Sequence, residues 1–526
     1  MSKINRLQKY FFNATIISIG GIILQALSVI FNVFVSWKIG AEAMGLFTLC
    51  GGVYGFAITI ATSGINLAVV RLVSSVLPYN EKNDLLDKNS HTCVYKVMKS
   101  ATIYALSFSF LATILLLSLS KPIGLYLLND IRVVPSLRLM AFSLIPISIS
   151  SMINGYFCAV RRAYKNVIVQ FFEKGIKFTI ITLLLVAIAP IGIEYACLSL
   201  SIGGLISELS SLALNIILYF FDRKRHQNKL DSSKNEPRSF SVFSAAFPLA
   251  VSAYVRSGLS TIENLAIPWG LRKSGLGVSS ALASYGVLHG MVFPLIFFPS
   301  SILGAFSSLL VPEIASSYEA KDFARIKRIV SYVFSFSLLF SLGVSGIFIS
   351  LSNKIGIFFF GSYEAGNFIR LLSPLIPLIY LDFAVDALLK GLGEHVYSMR
   401  VNIIDSFISV ILILLLVPAF GINGYIGIIF ITELLNTSLS IIKLLNKTGV
   451  KPEIFKWIFK PTINIILSTF LSRLIFSVFP ALTSGKINTI LEILLCTLLY
   501  LLFSSITGTI SKKEIGLLKA KANQKS

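Results

Sequence analysis

Charged residues in the middle of long apolar stretches are the groups in this chain with the means to do chemistry. Glu173, Lys174 and Lys177 fall in one such stretch and Glu208 in the next. Arg256 and Glu263 share another, and Asp382, Asp386 and Lys390 a fourth. Asp405, Glu433, Arg473 and Glu492 follow. A charge at bilayer depth costs about 2.5–3.5 kcal/mol on insertion scales, so it faces a partner or a water-filled cavity. Asp382, Asp386 and Lys390 recur every four residues and share one helix face. Two carboxylates one turn apart repel unless a cation or proton intervenes. That spacing predicts an ion-coupling site at Asp382 and Asp386, with Asp405 and Glu433 nearby. Arg256 lies near the middle of its stretch. Its guanidinium can hold a phosphate through two parallel hydrogen bonds, or pair with Glu263. Glu173 and Lys177, at i and i+4, can neutralise each other or meet a substrate. Arg473 and Glu492 are expected to form an ion pair.

Catalytic and metal chemistry find little support. Cys50, Cys93, Cys158, Cys197 and Cys496 are scattered and form no CxxC, so free and mostly buried thiols are expected. His91, His226, His289 and His395 are far apart, and no metal site is expected. No loop offers the acid, histidine and nucleophile cluster that a membrane-embedded transferase needs, so no enzyme activity is expected. No cofactor is expected beyond a coupling cation, Na+ or H+.

The elements that carry these charges are membrane spans. The chain is 55% hydrophobic and 13% charged, with a mean hydropathy of +0.81. About 20 apolar residues cover a bilayer as a helix. Fourteen such stretches are predicted, at roughly 10–37, 44–72, 97–119, 136–160, 166–188, 194–221, 239–267, 281–311, 329–351, 369–391, 400–419, 422–446, 454–479 and 486–510. With residues at the span ends counted alongside the segments they adjoin, placing both termini in the cytoplasm puts 33 of the 46 lysines and arginines on that side, 9 outside and 4 in span interiors. That asymmetry predicts the orientation. The net charge of +22 then faces anionic lipid rather than nucleic acid. Trp37, Trp269 and Trp457 fall at span ends, as an aromatic belt requires.

A repeat runs through the spans. Gly45 in span 2 and Gly286 in span 8 hold matching places. Val169–Glu173 opens span 5 as Val401–Asp405 opens span 11, each with an acid at the fifth position. Ile206-Ser207-Glu208-Leu209 matches Ile431-Thr432-Glu433-Leu434. These offsets predict an all-α polytopic membrane protein of two six-helix lobes in parallel pseudo-repeat plus two C-terminal helices. The lobes are expected at 1–221 and 239–446, joined by a cytoplasmic linker at 222–238. Helices 13 and 14 and a tail occupy 447–526. Pro294 and Pro299 predict a bent span 8, and Pro374 and Pro377 a kinked span 10.

Several runs resemble one family. Gly45-Leu46-Phe47 through Ser63-Gly64-Ile65 looks like the second helix of the stage V sporulation protein B group. Gly155-Tyr156-Phe157, followed by Gln170 to Lys177, fits the same group. So do Phe293-Pro294-Leu295-Ile296 through Val311-Pro312-Glu313-Ile314 and Leu389-Lys390-Gly391-Leu392-Gly393. Val417-Pro418-Ala419-Phe420-Gly421-Ile422-Asn423-Gly424 completes the set. The group belongs to the multidrug/oligosaccharidyl-lipid/polysaccharide exporter superfamily, with the MurJ-type lipid II flippases among its relatives. The resemblance implies fourteen helices in two lobes, a cationic central cavity for a diphosphate head group, and a groove for the polyprenyl tail at helices 13 and 14. MurJ-type proteins carry cavity arginines in their first helices. Here span 1 has no lysine or arginine between Lys9 and Lys38, which leaves Arg256, Arg71 and Lys177 to meet a head group.

The expected function is therefore an alternating-access flippase, working as a monomer in the cell membrane. Its partner would be a polyprenyl-diphosphate-linked sugar, a peptidoglycan precursor or polysaccharide unit, and its setting cell-wall or spore-cortex synthesis. Substrate contacts are expected from Arg256, Arg71, Lys177, Glu173 and Glu263, and coupling from Asp382, Asp386, Asp405 and Glu433. The alternative is a cation-coupled multidrug exporter of the same fold.

Overall fold

The computed structural model describes residues 3–76, 88–188, 192–227, 242–478 and 486–509. Every regular element among them is a helix. In chain order these are α1 Lys3–Thr62, α2 Ile65–Val76, α3 Lys88–Pro122, α4 Val134–Phe142, α5 Leu144–Ala159, α6 Tyr164–Ile188, α7 Ile193–Gln227, α8 Val242–Lys273 and α9 Val278–Tyr285. There follow α10 Phe293–Phe297, α11 Ser300–Glu319, α12 Phe323–Phe360, α13 Tyr363–Leu372, α14 Ile376–Gly391, α15 His395–Thr448, α16 Lys460–Val478 and α17 Lys486–Ile506. Lipid offers the backbone no hydrogen bonds, so apolar runs of this length close theirs internally as helix.

Among the described residues, 11 helical stretches are long and apolar enough to cross a bilayer. Two are double length: Ser18–Val76 has 59 residues and His395–Thr448 has 54. At 1.5 Å per residue each would reach about 80 Å or more, against a hydrocarbon core of about 30 Å. Each is long enough for two passes, and the two passes turn into one another at a glycine with positive φ, Gly40 (φ 77°) in the first and Gly421 (φ 60°) in the second. The arms of α15 run antiparallel. Asn436 donates to Asn402 at 3.3 Å, Tyr397 to the Leu439 carbonyl at 3.3 Å, and Lys447 to Glu394 at 2.6 Å. A further helix, α6, has 25 residues and carries the charges Glu173, Lys174 and Lys177. The set is consistent with fourteen passes.

Prolines and glycines interrupt the spans where expected. The eighth span runs through α9, a π-helical segment at Gly286–Val292, α10 and α11, with Pro294 and Pro299 at its breaks. The tenth turns through a 3-10 segment, Ser373–Leu375, between α13 and α14. The second breaks at Ser63 (φ 43°) and Gly64 (φ 71°), which separate α1 from α2.

The chain divides into two compact units, Met1–Gly286 and Val287–Ser526. The polar stretch expected as a linker, 222–238, lies from 228 onward outside the described residues. In the first unit α2, α3, α5 and α8 share a core that includes Val69, Val97, Ala101, Phe157 and Ala246. In the second, α12, α14, α15 and Trp457 surround Val333, Phe334, Val385 and Leu388, and α16 and α17 pack on α12.

The paired glycines of the repeat meet each other in the first unit. A Cβ on Gly45 would lie 2.0 Å from the Leu282 carbonyl oxygen, and one on Gly286 would lie 2.1 Å from that of Ala41. Position 45 meets 282 and position 286 meets 41, so the approach is reciprocal. Only glycine admits backbones this close.

Candidate functional site

Two clusters of membrane-embedded charge take shape, one in each unit. In the first unit α6 packs along α7. Glu173 lies beside Lys174 and Lys177 and within hydrogen-bonding reach of Ser211. Glu208 on α7 faces the same three charges. The Lys174 ammonium donates to the Ser28 hydroxyl of α1 at 2.8 Å, which ties the cluster to a third helix. Two carboxylates and two lysines leave no net formal charge.

In the second unit α14 and both arms of α15 supply the cluster. Asp382 lies close to Asp386 and Lys390 and within reach of Ser440. Asp386 accepts from Lys390 at 2.5 Å and from the Ser398 hydroxyl. Glu433 accepts from Thr437 at 3.2 Å and lies beside Asp382 and Asp405. The four acids named from sequence thus come together, with Lys390 as the cation beside them. Aligning Glu173 with Asp405 puts Ser406 and Ser409 of the second unit where the first has Lys174 and Lys177. Corresponding acids pair in both units, but only the first carries lysines at those places.

The other named residues are spread over the first unit. Arg256 is exposed on α8, which turns its opposite side to α1. Glu263 is about two turns further along, near Tyr285. Arg71 is exposed on α2, beyond the break at Ser63 and Gly64.

One expected pair is replaced. Glu492, 2% exposed, is bound by the Lys354 ammonium of α12, while Arg473 donates to the Ser350 carbonyl at 2.5 Å. The packing of α12 against both α16 and α17 brings Lys354 to the acid, which hairpin depth alone did not disclose.

Sequence reading also missed groups that only folding assembles. Arg132 bridges Asp130 at 2.6 Å and Glu42 at 3.1 Å, and Ser279 donates to the same Glu42 at 2.5 Å. His289, on the π-helical segment, bonds the Tyr425 hydroxyl at 2.9 Å. Ser63 joins Tyr104 at 2.9 Å and also Tyr254. Gly64, one of several glycines in the second span, was the one sequence signal near that node.

An all-helical, two-unit membrane protein with embedded acids and cations has the make-up of a transporter, as the members of the multidrug/oligosaccharidyl-lipid/polysaccharide exporter superfamily do. Comparison with known proteins supports that class and narrows it. Residues 11–296 match the polysaccharide biosynthesis protein family, and residues 274–415 match MatE. Stage V sporulation protein B of Bacillus subtilis (strain 168) is 24% identical over 421 residues, 79% of this chain and 79% of that protein. Lipid II flippase MurJ of the same organism is 23% identical over 443 residues, 78% of each. A solved structure of lipid II flippase MurJ in an inward closed conformation superposes with a TM-score of 0.65 at 16% identity, covering 96% of this chain and 99% of that one. An inward-facing multidrug resistance MATE transporter gives 0.64 at 13% identity, over 82% and 98%. The chain belongs to the polysaccharide biosynthesis protein family of this superfamily.

Proposed function

We propose that this protein flips a polyprenyl-diphosphate-linked sugar, a peptidoglycan precursor or a polysaccharide unit, from the inner to the outer leaflet of the cell membrane. The observation that carries the reading is Arg256, an exposed guanidinium within a span. A guanidinium turned to hydrocarbon is costly, so its exposed face belongs to a polar cavity, where a diphosphate offers it paired acceptors. The similarity to a lipid II flippase over nearly the whole chain fits this cargo. The distribution of lysine and arginine supports cytoplasmic termini. The protein acts as a monomeric unit. Asp382, Asp386, Asp405 and Glu433 bind the Na+ or H+ that resets the empty carrier, and Glu173, Lys177, Arg71 and Glu263 complete the polar path.

The test is the leaflet accessibility of undecaprenyl-linked cell-wall precursor in cells depleted of related flippases. Precursor should reach the outer leaflet only when this protein is present. Arg256→Ala should abolish that while leaving protein in the membrane; normal transport would remove the head-group role. A second reading, a cation-coupled drug exporter, is favoured by the MATE likeness and by the acidic cluster. A deletion strain with raised drug susceptibility and unchanged precursor accessibility would select it.

A further inference from the structure

We infer that a chain of hydroxyl groups between the second and seventh spans is a positioning device for Arg256. The inference rests on the head-group reading for its purpose but not for its geometry. Along α8, Tyr254, Ser257 and Thr261 recur at intervals of three and four residues, so they share one face. Each is bonded to the second span. Tyr254 joins the Ser63 hydroxyl. Ser257 accepts from Thr59 at 3.0 Å. Thr261 donates to the Gly52 carbonyl at 3.2 Å. Tyr104 of α3 closes the inner end: its hydroxyl donates to the Ser63 carbonyl at 3.0 Å and lies 2.9 Å from the Ser63 hydroxyl.

Arg256 stands between Tyr254 and Ser257 in sequence, which puts it off the bonded face. In lipid, two apolar helices slide and rotate on each other easily, because tails pack as well as side chains do. Directional hydrogen bonds remove that freedom. Here three on one stripe hold the rotation of α8, and with it the side on which the guanidinium emerges, although Thr59 and Thr261 each share their one hydroxyl proton with a carbonyl of their own helix at 2.9 Å. The break at Ser63 and Gly64 matters for the same reason. A left-handed Ser63 turns its hydroxyl out of the helical register and lets it meet two tyrosines from two other helices. Arg256 is the binding residue in this scheme, and Tyr254, Ser63 and Ser257 are positioning residues.

The device predicts two separable effects in the full-length protein in detergent. In the first experiment position 256 carries a reporter thiol, Arg256→Cys, with the five native cysteines replaced by serine. Its rate of reaction with a charged methanethiosulfonate is compared with and without Tyr254→Phe, which keeps the ring and removes the hydroxyl. Labelling should slow at least threefold when the hydroxyl is lost, and more in Tyr254→Phe with Ser257→Ala. An unchanged rate overturns the positioning role, whatever the cargo is. The second experiment titrates farnesyl diphosphate into the native-cysteine protein. Tyr254→Phe should weaken binding about tenfold, and should add nothing once Arg256→Ala is present. Additive losses in that cycle would also overturn it, since the tyrosine would then act independently of the arginine. If Arg256→Ala alone leaves farnesyl diphosphate binding intact while the thiol rate responds to Tyr254→Phe, the head-group reading fails and the positioning geometry stands.

Discussion

At the residue scale, the two charge clusters differ in one respect that bears on function. Glu173 and Glu208 have Lys174 and Lys177 beside them, whereas Asp405 and Glu433 have Ser406 and Ser409 at the corresponding places. Two acids that share a low-dielectric site cannot both ionise without a cation. The first cluster carries its cations covalently. The second has four acids near one lysine, so a mobile cation or proton has a reason to enter there. Asp382 is the member that links α14 to Glu433, and it is the residue to neutralise. Asp382→Asn should leave binding of the cargo within about twofold and remove the response of transport to an imposed ion gradient. Flux in vesicles that still tracks the gradient would take Asp382 off the coupling path. These acids were legible in the sequence because a charge inside an apolar run stands out. Their partners Ser440, Thr437 and Ser398 were not, because hydroxyl residues are common in membrane helices and reveal themselves only by contact.

At the element scale, glycine and proline placed the breaks, and packing decided what the breaks accomplish. Gly45 and Gly286 were legible as a repeated feature, but nothing in the spacing said that they touch. The contact leaves no room for a side chain: a methyl on Gly45 would overlap the Leu282 carbonyl, a backbone atom that cannot step aside. Gly45→Ala should therefore push α9 away from the start of the second span, at a cost of about 1–3 kcal/mol for overpacking. Thermal unfolding in detergent should shift down by several degrees, and a cysteine placed at Ser279 should label faster. An unchanged midpoint together with an unchanged labelling rate would mean that the backbones are not held together in the membrane. The ion pair of Glu492 shows the opposite limit. Sequence depth suggested Arg473, yet a third helix, α12, brings Lys354 nearer.

At the scale of the whole molecule, each unit fastens the loop before its fifth or eleventh span to the end of the span after it, with opposite polarity. In the first unit Arg162, at 2.8 Å, and Lys165 bind Asp222. In the second, Lys447 at 2.6 Å and Lys443 at 3.5 Å bind Glu394. The repeat thus conserves the fastening while exchanging acid and base. Glu394 lies between spans, and the Lys447 hydrogen bond holds its carboxyl below the usual glutamate range. A depressed carboxyl contributes stability above its unfolded value and loses it as pH falls through the folded one. Lowering the pH below the ordinary glutamate range should therefore loosen this end of the second unit. Solvent screening keeps the effect to about 0.5–1 kcal/mol. Unfolding midpoints of wild type and Glu394→Gln should differ at neutral pH and converge in acid; a gap that persists in acid would assign the difference to packing.

The sequence by itself determined the helical class, the number of passes it is consistent with, the gaps between spans in which Gly40 and Gly421 turn out to lie, the breaks at the prolines, and the embedded acids. These follow from local rules: backbone must bond to itself in lipid, and a charge there is conspicuous. The superfamily was legible too, since motif order survives where identity is low. Tertiary structure alone decided which charge meets which. It joined Lys174 to Ser28 across 146 residues and Ser63 to Tyr254 across 191. Hydroxyls and lysines have many acceptable partners, and only the packed helices choose among them.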